Sequence, residues 1–273
     1  MEKDKVKNQI NQLLDAAEFY LSDMLPSEWA EQNRVMSSDV SSKVGKFSFN
    51  YTPYLREVLD VLSPSHPARI IAVMKGAQIG FSPGVIENSI GYIISQSPGN
   101  ILFLTGHADL AGEAMNGKID QMIESTGLRK MIRPNVIKKK NQRTGDTSKS
   151  KEFAGGSLTA GSAGNHKLLR QRSVRYGFID DFDAARKSTK ESGSTTEMIE
   201  QRFAAYYDKM KLFYISTQEV KQTSNIEPVY ELGDQRKYHV PCPCCGDYID
   251  LKWTYKVDGK EAGITYKIDE HGK

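Results

Sequence analysis

Four short apolar runs constrain this chain more than any other feature: RIIAVM at residues 69–74, NILFLT at 100–105, VRYGFI at 174–179 and KLFYIS at 211–216. Each has the length and β-branched or aromatic content of a strand buried on both faces. Between them lie stretches with apolar residues at helical spacing, at 82–94, 108–125 and 195–207. Strands alternating with helices predict an α/β fold with a mainly parallel sheet covered on both sides. Residues 153–163 alternate small and apolar residues, and a helix-like turn is expected around Leu168. Upstream, residues 6–24 carry Ile10, Leu13, Leu14, Ala17, Tyr20 and Leu21 at helical spacing, 37–46 reads as a loop, and 51–62 reads as a helix with Pro53 in its first turn. After Gln218 the sequence turns polar and turn-rich, with a short β-like tail at 248–268. The expected division is an N-terminal helical region at 1–48, a main domain at 49–240 and a cysteine-containing linker at 241–273, the start of a further region.

With 273 residues the chain is long enough to bury a core. It has no apolar run near the roughly 20 residues that span a bilayer, and its start does not read as a secretory leader. Cys242, Cys244 and Cys245 are clustered rather than distributed, which is not the framework of a secreted disulfide scaffold and fits a reducing compartment. Net charge is only +3, so nucleic-acid binding would depend on local concentration of charge.

The segment Met74-Lys75-Gly76-Ala77-Gln78-Ile79-Gly80-Phe81-Ser82 joins a predicted strand to a predicted helix, where backbone amides and a helix N-terminus can hold phosphate oxygens. It departs from GxxxxGK[ST], because Phe81 stands in the usual lysine place while Lys75 opens the loop. Lys75 can reach β- and γ-phosphates from that side, and the Ser82 hydroxyl suits magnesium. The competing reading is a tight glycine turn with a solvated lysine. The run Tyr176-Gly177-Phe178-Ile179 ends in Asp180-Asp181-Phe182-Asp183. There one carboxylate, Asp180, can hold magnesium and the next, Asp181, can orient the attacking water. These acids could instead only cap a helix.

Taken together these residues resemble the large terminase subunit of tailed phages, in the lambda-type branch with a relocated phosphate-loop lysine. The similarity runs through PSEWAE at 26–31, TPYLRE at 52–57, the MKGAQIG loop, FAGG at 153–156, DDFD at 180–183, Ser216-Thr217 and GDQR at 233–236 leading to Pro241-Cys242-Pro243. It implies a P-loop ATPase that uses ATP and Mg2+ to move double-stranded DNA into a procapsid. Implied partners are the portal, a small terminase subunit and copies of the chain in a ring, all in the host cytoplasm. It also implies a base contact around Tyr51 and coupling of hydrolysis to movement by Ser216 and Thr217. Asp181 replaces the family's usual glutamate, Gln218 follows Ser216-Thr217 where proline is common, and Cys244 intrudes in the cysteine motif. Full-length members continue into a nuclease domain, so cutting is expected only of a longer parent.

Cys242 and Cys245 form a CxxC knuckle, half of a zinc site or a pair of reduced thiols. Lys138, Lys139, Lys140, Arg143, Lys149 and Lys151 crowd a polar stretch opposed by Asp146, a candidate contact to DNA phosphates. Arg170, Arg172 and Arg202 are equal candidates for the arginine that stabilises the transferring phosphoryl group, within one subunit or across a ring. Rival readings are another nucleic-acid motor of helicase type and, given Phe81 and Asp181, an assembly scaffold without turnover.

Overall fold

The structure, a computed structural model, describes residues 24–138, 142–165, 168, 173–185, 188–189, 193–218, 224–250, 254–257 and 260–263. The helix expected at 6–24 lies almost entirely outside them, as do Lys139, Lys140, Arg170 and Arg172. The chain divides into two compact units, 1–233 and 234–273.

In the first unit the helices used below are α1 (Pro26–Asn33), α2 (Arg56–Asp60), α3 (Asn88–Gln96), α4 (Ala108–Ala114), α5 (Asp120–Ser125), α6 (Thr195–Glu200) and α7 (Ile226–Glu231). The strands are β1 (Ile70–Met74), β2 (Ile101–Thr105), β3 (Ser150–Phe153), β4 (Gly156–Ser162), β5 (Tyr176–Ile179) and β6 (Lys211–Ser216). They form one sheet in the order β1-β6-β5-β2-β4-β3. Every pairing is parallel except β3 with β4, which form a hairpin at one edge. The expected mainly parallel α/β sheet is therefore present, and three of its four inner strands, β6, β5 and β2, are buried at every residue. That is why they read as unbroken apolar runs.

Alternate residues feed two cores. Phe178 and Phe213 stack at 5.2 Å between ring centres on one face, with α1, α2 and α3. On the other face Leu212, Tyr214 and Ile179 meet Phe203 and Ile226. Trp29 and Ala30 of α1 and the following Met36, Phe47 and Phe49 all belong to the first core, so residues 26–49 are built into the sheet unit. The stretch 37–46 ends in a short strand, Gly45–Lys46, paired with Val35–Met36.

The segment expected to be helical from Ser82 begins as a π-helical turn, Ser82–Glu87, before α3, and a second π-turn, Met115–Ile119, separates α4 from α5. Helix α3 is buried on nearly every side. Its Gly91 leaves room for the Trp29 ring, because a Cβ there would lie 2.1 Å from Trp29 Cη2. Gly91→Ala would gain up to about 1 kcal/mol of helix propensity. Overpacking of about 1–3 kcal/mol opposes it. The ring cannot be accommodated at 2.1 Å, so a net loss of stability is expected in urea unfolding followed by Trp29 fluorescence; a variant as stable as the parent would show that the indole has somewhere to go.

Candidate active site

All parallel strands end at the same edge of the sheet, and the candidate residues follow from that. Met74 pairs with Ser216, and Tyr214 with Ile179, so β6 lies between the strand that launches the phosphate loop and the strand that ends in the acids. The N–H of Lys75 donates to the Ser216 carbonyl at 3.0 Å. Lys75 and Asp180 thus leave the sheet side by side with one strand between them. Burial raises the Asp180 pKa, and the nearby Lys75 ammonium opposes that rise.

The loop itself is shaped by positive φ at Gln78 (56°) and Gly80 (75°). The Gly84 N–H donates to Gly80 O at 2.9 Å, which starts the helix. Tyr54 donates its hydroxyl hydrogen to the Ile79 carbonyl at 2.9 Å and so pins the loop. Tyr51, the expected base contact, is exposed, with Lys43 Nζ 5.4 Å from its ring centre. Gly76, Ala77 and Gln78 are exposed, and Ser82 stands half-buried at the helix start. Phe81 is only 3% exposed and sits in the core. An ammonium there would be buried without a partner, so this loop can carry its lysine only elsewhere. Lys75 is the loop's one lysine, and its Nζ lies 6.0 Å from the Phe81 ring centre.

Asp181 adopts a left-handed conformation (φ 57°, ψ 49°), which Asp tolerates better than most residues. Its N–H donates to Asp180 Oδ1 at 3.1 Å. Backbone strain of this kind gathers at functional sites. Asp183 has a role that its place in the sequence does not reveal. Its N–H donates to Ser216 Oγ at 3.0 Å, and its Oδ1 accepts from Ser224 Oγ and from the N–H groups of Asn225 and Ile226. Asn225 Nδ2 closes the loop by donating to the carbonyls of Phe182 and Ala185. The helix-capping role envisaged for the acids therefore belongs to Asp183, and the helix is α7 rather than one directly after the acids. The signal in sequence was the Ser-Asn pair before an apolar helix, but its partner stands 41 residues away.

Two other expectations are displaced. The basic stretch is not a polar loop throughout: residues 136–138 and 142–144 pair as a hairpin that carries Lys138 and Arg143, and Lys151 lies in β3. Lys151 is 1% exposed, and its Nζ bridges Asp120 and Asp146 at 2.8 Å each, beside Arg129. Its charge is consumed inside the fold. Arg202 is not brought to Lys75 and Asp180, because its carbonyl accepts the Val174 N–H just before β5, at the opposite end of that strand from the acids.

In the second unit, Cys242–Gly246 forms a tight knuckle between strands His239–Pro241 and Tyr248–Asp250. Cys242 N–H donates to Asp247 O, and Gly246 N–H, at φ +80°, donates to Cys242 O. Amides of Cys245 and Cys244 lower the Cys242 pKa, while Cys245 Sγ turns toward Asp247 at 3.5 Å. No group of three or more metal ligands forms among the described residues.

A glycine-bearing strand-loop-helix, with a lysine and a part-buried carboxylate on strand ends one strand apart, stands at one edge of a mainly parallel α/β sheet covered by helices. No described helix is long and apolar enough to cross a membrane. The chain belongs to the phage terminase large subunit gpA ATPase-domain family, whose profile matches residues 41–270. Among solved structures it is similar to the large terminase ATPase domain of Thermus phage P74-26, with 12% identity and a TM-score of 0.45 over 74% of this chain and 80% of that one. It is also similar to the large terminase of a second thermophilic bacteriophage, with 12% identity and a TM-score of 0.40 over 59% of this chain and 37% of that one. No curated protein sequence matches.

Proposed function

We propose that this chain hydrolyses ATP to drive double-stranded DNA into a procapsid, and that it does so as one subunit of a ring seated on the portal and loaded by a small terminase subunit. The observation that carries the hydrolytic part is the placement of Lys75 and part-buried Asp180 on strand ends either side of Ser216. Lys75 would bind the β- and γ-phosphates, with the backbone of Gly76 to Phe81 around them. Ser82 and Asp180 offer hard oxygen ligands suited to Mg2+, which would neutralise phosphate charge when bound. Asp180 is suited to a cation because burial disfavours its charge and a metal ion restores it. Asp181 would orient the attacking water, Tyr51 would contact the base, and Ser216 and Thr217 would couple hydrolysis to movement. Lys138, Lys139, Lys140 and Arg143 would touch the DNA backbone. A longer parent would add the nuclease, and Cys242 with Cys245 would supply half of a zinc site there.

Phosphate release measured without DNA, with duplex and with single strands separates the readings. Stimulation by duplex above single strands is expected. Preference for single strands would favour a helicase-type motor, and no ATP turnover under any condition would leave a scaffold.

A further inference from the structure

A partly enclosed cavity of about 320 Å3 runs along β2 and β4, and none of the described residues lining it belongs to the phosphate loop or the acid pair. Its polar lining includes Arg202, Lys149, Asn100, Ser157, Thr159 and Asn165, and no carboxylate is among the described lining residues. The Arg202 Nε is buried with no hydrogen-bond partner among the described residues. An unsatisfied buried donor on a charged group is costly, and an acceptor brought to the guanidinium would offset that cost. Lys149 is exposed and forms no ion pair among the described residues. Asn100 and Ser157 are already oriented toward one another, with Ser157 Oγ donating to Asn100 Oδ1 at 3.2 Å. One guanidinium, one ammonium, hydroxyls and amides without an opposing acid make an anion site, and the donors suit a tetrahedral oxyanion.

We infer that this cavity binds a phosphate group, separately from the nucleotide site. Two sources share that chemistry: a phosphodiester of the DNA backbone and a free phosphate. The size suits either, since small-molecule sites begin at about 300 Å3.

The test is calorimetric titration of inorganic phosphate into the Lys75→Ala protein, so that the phosphate loop does not contribute. Saturable binding is expected. Adding Arg202→Met should weaken it by about tenfold or more, with Arg202→Lys between the two, as a charge-assisted hydrogen bond requires. Lys149→Ala, a change at an exposed position that the fold tolerates, should weaken it several-fold. Repeating the titration with a duplex present identifies the source: displacement of phosphate assigns the site to the DNA backbone, and unaltered binding assigns it to free phosphate. Absence of saturable binding, or binding indifferent to both Arg202 and Lys149, would overturn the inference.

Discussion

Replacing Lys75 by alanine is expected to lower ATP turnover by about 100- to 1000-fold, the effect of removing one preorganised charge from a developing phosphoryl transition state. Its position favours a large effect. The residue in the usual lysine place, Phe81, is sealed in the core and cannot substitute. Lys75 is also the larger of two cationic influences, with Lys118, that offset the burial of Asp180, so the variant should raise the Asp180 pKa further. Turnover of the variant should therefore begin to fall at a higher pH than turnover of the parent, since Asp180 would hold a metal only as a carboxylate. Far-ultraviolet circular dichroism should be unchanged, because no backbone bond is lost. Unaltered turnover would remove Lys75 from the phosphate site and restore the glycine turn with a solvated lysine.

The second large effect is on stability. Arg34, just after α1, and Glu87, at the end of the π-turn, form an ion pair with side chains only 2% and 3% exposed. Arg34 also donates to Ser125 Oγ, but Arg34 Nε and Glu87 Oε1 lack partners among the described residues. Arg34→Met leaves Glu87 buried alone and should cost about 3–5 kcal/mol in urea unfolding. Burial pushes the Glu87 pKa to about 7, against the pull of Arg34 and Lys118. A carboxyl with a raised folded pKa contributes stability that is complete below its unfolded value of 4.5 and lost as pH rises through 7. Without Arg34 that rise is larger, so the penalty should be greater at pH 8 than at pH 6. Adding Glu87→Leu should recover much of it, because the stranded charge is gone. A cost below about 1 kcal/mol at pH 8 would show that water reaches the pair.

Much of the fold could be read from sequence because β2, β5 and β6 are buried on both faces and are mostly apolar, with their polar residues at the strand ends. The phosphate loop and Asp180 were legible for a related reason, since each sits where an apolar run stops. What escaped reading depends on partners distant in sequence. Lys151 looks like one more cation until Asp120, 31 residues away, closes on it. Glu87 is the one charged residue of the helical stretch 82–96, and nothing local reveals that Arg34, 53 residues earlier, meets it. The π-turns are invisible to a periodicity of 3.6, because one added residue shifts the apolar face without breaking it. Arg202 shows the converse: an arginine in a helical stretch that precedes β6 has an attractive sequence position, yet its carbonyl is bound to Val174, at the end of β5 away from the acids.

Asp183 makes the acid loop and α7 a single mechanical part. Three donors at residues 224–226 hang on one carboxylate oxygen, and the backbone of that same residue hangs on Ser216. Any displacement of the acid loop must carry the first turn of α7 along, or break three bonds to a carboxylate at about 1.5–3 kcal/mol each. Helix α7 ends at Glu231, and the second unit begins at Asp234. The acid loop is thereby geared to the segment that follows α7 through a drawbar of a few residues, with its hitch pin at Asp183.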